Sequence, residues 1–197
     1  GVDAMIVRAD ADLELAAAAA AWGATCNTGQ VCASVERLLV HESVVEPFRL
    51  RLLDKLERID PRRDQGRPTL PRQAEVWRAH IDDAVARGLR VEGGFVGETL
   101  RPTLVDGQGV EASMIWREET FGPAVALRSY ATDDEAVALH DAIDFGLTAS
   151  VFGRDARAAA VLAGRLRAGL VAVNEVGSTL YGQGELPWGG VGRSGFG

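Results

Sequence analysis

The chain has 197 residues, of which 47% are hydrophobic and 25% are charged, the composition of a globular protein with a sizeable core. Its formal net charge is -7, and it has no basic, aromatic-rich stretch, which argues against a nucleic-acid partner. No apolar run approaches the roughly 20 residues of a membrane span, and no secretory signal is visible. We therefore expect a cytoplasmic protein without a membrane partner.

Cysteine and histidine usage limits the possible chemistry further. The two cysteines, Cys26 and Cys32, are too few for a disulfide framework and do not form a Cys-x-x-Cys pair. The three histidines are scattered, and no His-Glu-x-x-His motif occurs, so we expect no metal site. A free thiol is most easily kept in a reducing compartment.

Hydrophobic periodicity and turn residues predict helices and strands that alternate along the chain. The predicted elements are, in order, a strand over 4–7, a helix over 13–22 ended by Gly23, a turn over 27–34, a strand over 37–41, a helix over 44–58, an exposed loop over 60–70, a helix over 73–87, strands near 89–91, 103–105 and 123–130, a capped helix over 135–143, a strand over 149–152, a helix over 156–166 and a strand over 170–173. This order predicts a three-layer α/β domain with a largely parallel sheet flanked by helices. No linker divides residues 1–197.

The segment Asn-Thr-Gly-Gln-Val-Cys-Ala-Ser over residues 27–34 carries the strongest chemical signal. It places Cys32 just after a Gly-Gln turn, at the head of a segment that we expect to turn into a helix. The positive end of a helix favours the thiolate, which is the nucleophilic form. Cys32 is therefore a candidate nucleophile, and a small buried hydrophobic residue is the alternative.

Three further segments have polar or aromatic residues at turns. Residues 118–123, Glu-Glu-Thr-Phe-Gly-Pro, suit a loop whose carboxylate binds a hydroxylated ligand while the phenyl ring packs on it. Residues 169–174 predict a strand that ends at Asn174, and residues 187–191 form an aromatic turn. The Gly-x-Gly-x-x-Gly match over 190–195 lacks the strand and helix of a dinucleotide-binding turn, so we expect no dinucleotide-binding fold within the chain.

Together, and in this order, these segments resemble the NAD(P)-dependent aldehyde dehydrogenases over essentially the whole chain. Residues 27–32 are similar to the nucleophile loop of that family, and residues 118–123 to its EExFGP motif. Residues 169–174 resemble its GxVxVN strand, and residues 187–195 its PxGGxxxSG turn. The resemblance, which is greatest to bacterial members, implies that residues 1–197 are the thiol-bearing catalytic domain.

The resemblance implies a mechanism in which Cys32 attacks a small-molecule aldehyde. A thiohemiacetal forms, hydride leaves for NAD or NADP, and water hydrolyses the resulting thioester to a carboxylic acid. By the same resemblance Glu119 binds the ribose next to the nicotinamide, Phe121 packs near the nicotinamide, and Gln73 touches the adenosine side of the cofactor.

The resemblance also implies which residues surround the aldehyde. Asn27 and Trp188, with the loop over 175–184, are expected at the substrate entrance. Asn174 is expected to be a scaffold residue that supports the nucleophile loop. The particular aldehyde and the choice between NAD and NADP stay open, because the cofactor-binding segments of the family have no counterpart in this sequence.

Other expectations concern what lies outside these residues. The general base of the family would precede Gly1, and the segments through which its subunits pair have no counterpart in this sequence. We therefore expect the isolated chain to be inactive, and not to form the homo-oligomer that is usual for the family. Two alternatives remain: a stand-alone thiol esterase or acyl-transfer enzyme that uses Cys32, and a non-catalytic binding domain.

Overall fold

The computed structural model describes residues 1–176 and 187–195. Its strands are β1 (Asp3–Val7), β2 (Val35–His41), β3 (Arg90–Val96), β4 (Thr99–Asp106), β5 (Ala124–Tyr130), β6 (Phe145–Gly146), β7 (Thr148–Phe152), β8 (Leu170–Val173) and β9 (Val191–Gly192). Seven of them form one sheet in the order β3-β4-β5-β2-β1-β7-β8. All neighbours in this sheet are parallel except β3 and β4, and β6 pairs with β9 in a separate antiparallel ribbon.

Helices cover both faces of the sheet. They are α1 (Leu13–Thr25), α2 (Val45–Glu57), α3 (Pro71–Ala86), α4 (Met114–Arg117), α5 (Asp133–Asp141) and α6 (Ala156–Ala163). Alternate residues of the central strand β1 point to opposite faces, as the pleat requires. Met5 and Val7 pack with α1 and α2, whereas Ala4 and Ile6 pack in the core that contains residues of α3 to α6. The predicted three-layer α/β fold with a largely parallel sheet is confirmed.

Polar side chains fix the starts of the helices as the sequence predicts. The Asp12 carboxylate accepts hydrogen bonds from the backbone N–H groups of Glu14 and Leu15 at the start of α1. At the start of α5, the Thr132 hydroxyl accepts from the Glu135 N–H, and the Glu135 carboxylate accepts from the Ala131 N–H. This reciprocal arrangement is a capping box one residue wider than the usual form.

The predicted end of α1 at Gly23 is wrong, because the helix continues to Thr25. The glycine has a packing role instead. A Cβ added at Gly23 would lie 2.7 Å from a methyl carbon of Val35, and the Gly23 carbonyl accepts a hydrogen bond from the Ser34 hydroxyl at 3.0 Å. Gly23 thus allows the end of α1 to lie directly against the start of β2.

The short strands predicted near 89–91 and 103–105 are parts of one long antiparallel hairpin. Its strands β3 and β4 meet at a turn that contains Gly97, whose φ is 62°. The paired glycines Gly93 and Gly94 obscured β3 in the sequence, because glycine is depleted in strands. A register shift between Glu92 and Gly94 accommodates them. The short elements α4, β6 and β9 were not predicted either.

Among the described residues, no helix has the length and apolar character needed to cross a bilayer.

Candidate functional site

The loops singled out in the sequence converge on one edge of the sheet. Gly1, Cys32 and the loop over 118–123 precede the parallel strands β1, β2 and β5, so all three lie at the amino ends of these strands. Ligands of open α/β sheets usually bind outside the carboxyl ends. The candidate site of this chain therefore lies at the edge opposite to the usual one.

Cys32 is solvent-exposed, whereas Cys26 is partly buried. The predicted helix after Cys32 is wrong: the residue lies in a turn, closed by a 3.0 Å hydrogen bond from the Ser34 N–H to the Val31 carbonyl, and β2 begins at Val35. The helix that was expected to favour a thiolate at Cys32 therefore does not begin there. In residues 1–176 and 187–195, no hydrogen bond occupies the backbone N–H of Cys32.

The backbone before Cys32 is strained. Asn27, Thr28 and Gly29 have φ values of 51°, 61° and 68°, so three consecutive residues adopt the left-handed conformation. The Asn27 side-chain amide donates to the Gln30 carbonyl at 3.1 Å, and the Gln30 N–H donates back to the Asn27 carbonyl. Asn27 is exposed, and its predicted place at the substrate entrance stays a prediction.

The loop over 60–70, expected to be exposed, is hydrogen-bonded to the nucleophile loop. The Thr28 hydroxyl accepts a hydrogen bond from the Gly66 N–H at 2.6 Å. The Gln30 side chain donates to the Arg67 carbonyl at 3.1 Å and accepts from the Thr69 N–H at 2.7 Å. The side chains of Thr28 and Gln30 thus take the place of water as hydrogen-bond partners of the backbone in the loop over 60–70. The amino-acid composition of that loop does not reveal this role.

Helix α3 holds the loop over 118–123 from one side. The Gln73 amide donates to the Thr120 carbonyl at 2.7 Å, and the Trp77 indole donates to the Phe121 carbonyl at 3.1 Å. The buried His80 ring lies 3.0 Å from the Thr120 hydroxyl, and burial lowers the pKa of His80, which favours the neutral ring. Three residues on one helix face, spaced as i, i+4 and i+7, therefore fix the loop.

Glu36 on β2 holds the same loop from the other side. Its carboxylate accepts hydrogen bonds from the Thr120 N–H at 2.9 Å and from the Phe121 N–H at 2.8 Å. The side chain is buried, and burial raises the pKa of Glu36 to about 8 despite these two donors. No role of Glu36 was predicted from the sequence. The signal was a charged Glu-Arg pair inside an otherwise apolar strand.

Two glycines bring the nucleophile loop and the loop over 118–123 together. A Cβ added at Gly29 would lie 2.1 Å from the Gly122 carbonyl oxygen, and one added at Gly122 would lie 2.3 Å from the Trp77 indole nitrogen. Ordinary side chains have no space at either position. The two loops therefore meet backbone to backbone, with Trp77 closing the contact.

The structure places Glu119 and Phe121 at the rim of this contact. The Glu119 carboxylate is 37% exposed and contacts the backbone nitrogen of Gly1. Phe121 is half-buried and has a φ of 50°, rare for an aromatic residue. Its N–H and its carbonyl are both hydrogen-bonded, which holds its backbone in this conformation. Both residues belong to the loop that meets the nucleophile loop, and their assigned contacts with the cofactor stay predictions.

Trp188 belongs to a segment that returns to the same edge. The side chain is 40% exposed. The next residue, Gly189, lies so close to Gly169 that a Cβ on Gly169 would be 1.7 Å from the Gly189 oxygen. No hydrogen bond or ring contact joins Trp188 to Cys32 within the described part of the chain, and residues 177–184 of the predicted entrance loop lie outside it. The entrance role of Trp188 stays a prediction.

Asn174 is a scaffold residue, but at the opposite edge. Its side-chain amide exchanges two hydrogen bonds of 2.9 Å with the backbone N–H and carbonyl of Gly153, which follows β7. The predicted support of the nucleophile loop by this side chain is therefore wrong. Its φ of 56° turns the chain at the end of β8, and two residues later Val176 packs in the core near Gly23 and Val35.

No group of three or more His, Cys, Asp or Glu side chains is placed to hold a metal ion in residues 1–176 and 187–195. The fold and the site define an α/β protein in which an exposed thiol and a loop with a carboxylate and a phenyl ring share the amino edge of a parallel sheet. The aldehyde dehydrogenase family model matches residues 1–197, and the chain belongs to that family.

Similar proteins cover the whole chain. A 4,4'-diapolycopene aldehyde oxidase of a Methylomonas species is 41% identical over an alignment of 210 positions, which covers 100% of this chain and 38% of that protein. A vanillin dehydrogenase of Pseudomonas fluorescens is 39% identical over an alignment of 202 positions, which covers 98% of this chain and 41% of that protein. The chain thus spans about two-fifths of the length of these relatives.

A solved NAD-dependent aldehyde dehydrogenase from Sinorhizobium meliloti superposes with a TM-score of 0.91 at 36% identity, over 100% of this chain and 41% of that one. The betaine aldehyde dehydrogenase of Staphylococcus aureus in complex with NAD+ gives a TM-score of 0.90 at 29% identity, again over 100% of this chain and 41% of the other.

Proposed function

We propose that this chain is the thiol-bearing catalytic domain of an NAD(P)-dependent aldehyde dehydrogenase, in which Cys32 is the nucleophile. The observation that carries the proposal is the contact between the loop of Cys32 and the loop of Glu119 and Phe121, made through Gly29 and Gly122. This contact holds an exposed thiol next to a loop suited to binding a second reactant. Proximity of two reactants is itself a large contribution to catalysis.

The similar proteins support an aldehyde as substrate. Their names include vanillin dehydrogenase, aminoacetaldehyde dehydrogenase and betaine aldehyde dehydrogenase, which differ widely in the group attached to the aldehyde. We therefore propose a small-molecule aldehyde without naming it. A structure of the Staphylococcus aureus enzyme carries a BME-modified cysteine, which supports a reactive thiol in the family.

The cofactor that we propose is NAD, with NADP as the alternative, since similar solved structures contain NAD+. The residues present fit part of such a molecule. The partly exposed Glu119 carboxylate can accept hydrogen bonds from two neighbouring ribose hydroxyls, and the half-buried Phe121 ring offers an apolar surface. Gln73 donates its amide to Thr120, which leaves its oxygen for the proposed contact on the adenosine side. When bound, the nicotinamide supplies a two-electron acceptor for hydride.

The chain itself supplies the nucleophile for the covalent steps. The Cys32 thiolate adds to the aldehyde carbon, a C–S bond forms, and the carbonyl π electrons move to oxygen. The unoccupied backbone N–H of Cys32 can donate to this oxyanion. The oxyanion then re-forms the carbonyl double bond, the C–H electron pair leaves as hydride, and a thioester remains on Cys32. Water then adds, the C–S bond breaks, and the products are carboxylate, thiolate and two protons.

Turnover by the enzyme that contains this chain tests the proposal. Formation of reduced nicotinamide is followed with a panel of aliphatic and aromatic aldehydes, for the wild type, Cys32→Ala and Cys26→Ala. We expect Cys32→Ala to abolish turnover and Cys26→Ala to retain most of it. Turnover that persists in Cys32→Ala would refute the assignment. Hydrolysis of activated esters without any dehydrogenation would favour the thiol esterase instead.

A further inference from the structure

We propose that Glu36 is a positioning residue, which sets the place of the Glu119–Phe121 loop relative to the Cys32 thiol. The inference rests on the proposed function, because it concerns the step in which hydride leaves the carbon bound to Cys32. It assigns a task to a fully buried carboxylate at the amino edge that the covalent steps leave unused.

The carboxylate of Glu36 joins two elements that are far apart in sequence. Glu36 follows Cys32 by four residues on the strand that leads away from the thiol. Each of its carboxylate oxygens accepts one backbone N–H, from Thr120 and from Phe121. Among the described residues, no Arg, Lys or His side chain forms an ion pair with Glu36. Its hydrogen-bonding capacity is therefore directed at the loop.

The Thr120–Phe121 unit is held at five polar groups. Helix α3 holds the two carbonyl oxygens and the Thr120 hydroxyl, through Gln73, Trp77 and His80. Glu36 holds the two N–H groups. Only Glu36 belongs to the strand that follows Cys32. The side chain of Glu36 therefore couples the position of the Glu119–Phe121 loop to the strand that begins beside the Cys32 thiol.

The backbone conformation of Phe121 depends on these hydrogen bonds. Its φ of 50° lies in the left-handed region, which L-residues with bulky side chains avoid. Hydrogen bonds at both sides of the residue maintain this conformation. When the N–H bonds are weakened, the residue can relax toward a negative φ, and the directions of Phe121 and of the adjacent Glu119 change. A misplacement of about 1 Å can cost on the order of 100-fold in rate.

The experiment measures hydride transfer in single turnover, in the enzyme that contains this chain. The variants are E36Q, which replaces one acceptor oxygen by a donor, and E36D, which keeps both oxygens on a shorter arm. Active molecules are counted by alkylation of Cys32, and each rate is measured with protiated and deuterated aldehyde. Tyr130→Phe is the matched control, because it removes a buried 3.2 Å side-chain hydrogen bond, to the Val7 carbonyl, at the opposite edge.

We expect E36Q to slow hydride transfer about 10- to 100-fold per titrated thiol and to increase the deuterium isotope effect on turnover. Cys32 should be alkylated within about two-fold of the wild-type rate, since only the facing loop moves. E36D should recover part of the loss, and Tyr130→Phe should keep the wild-type hydride rate. A residue that only maintained the fold would lower the number of active molecules and leave their rate and isotope effect unchanged.

A wild-type hydride rate per titrated thiol in E36Q would overturn the inference. If E36Q does not accumulate as folded protein, E36D is the test, because its shorter side chain should displace the loop. A wild-type hydride rate per titrated thiol in E36D would then overturn the inference. These outcomes do not affect the proposed function, which fails if turnover survives the loss of Cys32 or if the enzyme hydrolyses activated esters without dehydrogenation. The two failures are therefore distinguishable in one set of proteins.

Discussion

The two edges of the sheet bury a carboxylate in opposite ways. At the carboxyl end of β4, Asp106 is held by two guanidinium groups, Arg49 at 2.7 Å and Arg90 at 2.6 Å. At the amino edge, Glu36 is held by two backbone N–H groups, and no ion pair reaches it within residues 1–176 and 187–195. The first arrangement neutralises a charge and ties α2 to the β-hairpin. In the second, burial raises the pKa of the carboxyl and favours its neutral form, and the two hydrogen bonds fix the conformation of a loop.

The same contrast appears in the backbone. At the carboxyl edge, helices start with side-chain caps and Asn174 bonds to a loop in a regular exchange. Four non-glycine residues in the described part of the chain have a positive φ; Asn27, Thr28 and Phe121 lie at the amino edge, and Asn174 lies at the carboxyl edge. Strain of this kind persists only where surrounding contacts over-determine the structure, and it tends to collect at functional sites. The comparison assigns stability to one edge and the candidate chemistry to the other.

The largest effect is expected from Gly29→Ala, which introduces a steric clash at the amino edge. The new Cβ would meet the Gly122 oxygen at 2.1 Å, in a residue with a φ of 68°. We expect a loss of about 2–4 kcal/mol in the free energy of unfolding, from the left-handed cost and overpacking together. Gly88→Ala is the control, because Gly88 has a φ of 72° but no atom within 4 Å of the added Cβ. Urea unfolding measures both, and equal losses would contradict the proposed close contact.

Asp106→Asn tests the carboxyl edge and should cost about 2–3 kcal/mol in unfolding free energy. The substitution removes the charge that neutralises Arg49, which is only 7% exposed and keeps its hydrogen bond to Glu92. Asp133→Asn is the matched control, since the partner of Arg8 is 42% exposed, and it should cost less than about 1 kcal/mol. Denaturant titrations at low and high salt measure the difference. A negligible effect of Asp106→Asn would remove the distinction between the two edges.

The pH dependence of stability should differ between Glu36→Gln and the wild type. Burial raises the pKa of Glu36 from 4.5 in the unfolded chain to about 8 in the folded protein. Between these values the folded state binds the extra proton, so the contribution of Glu36 to stability falls as pH rises, by at most about 1.4 kcal/mol per pH unit. Above about 8 the carboxylate is ionised in both states and the contribution levels off.

The measurement is the unfolding free energy of both proteins at several values between pH 5 and pH 9, and Glu36→Gln should lose the slope. Burial also raises the pKa of Asp3, to about 6, so Asp3 contributes a slope of the same sign at lower pH. The lowered pKa of His80 acts oppositely below its unfolded value of 6.5. Both effects cancel in the difference between the two proteins. Parallel curves would show that the carboxylate is ionised at neutral pH.

The smallest effect concerns the two thiols. Cys32 is exposed and Cys26 is partly buried, so brief, limiting iodoacetamide treatment should label Cys32 in modest preference. Mass mapping of the labelled peptides gives the ratio. Because no helix begins at Cys32, exposure is the reason for this preference, and unfolding in urea should remove it. Preferential labelling of Cys26 would contradict the choice of nucleophile.

Much of the fold could be predicted because its signals are local. Apolar runs and capping residues gave the strands and helices of the α/β order, including the capping box at Thr132 and Glu135. The hairpin of β3 and β4 could not be delimited, because glycines in β3 break the strand pattern. The end of α1 was misplaced because Gly23 resembles a stop signal, although its small size serves packing against Val35.

The candidate site was predictable only in part. Its loops at residues 27–34 and 118–123 could be located by their motifs, and their placement beside each other is seen in the structure. The contacts that join them could not be found, because Glu36, Trp77 and Gly29 act through partners far away in the sequence. The expected helix after Cys32 failed because the chain enters β2 within three residues, which leaves no room for a helical turn.

The contact between Gly29 and Gly122 also restricts how this sequence can drift. Since each position tolerates no added carbon, neither can change alone, and a replacement at one cannot be compensated by a smaller residue at the other. Gly122 is confined in addition by the Trp77 indole, so three positions on three segments are linked. Variation near the candidate site is therefore expected at the residues around this contact, with all three positions held fixed.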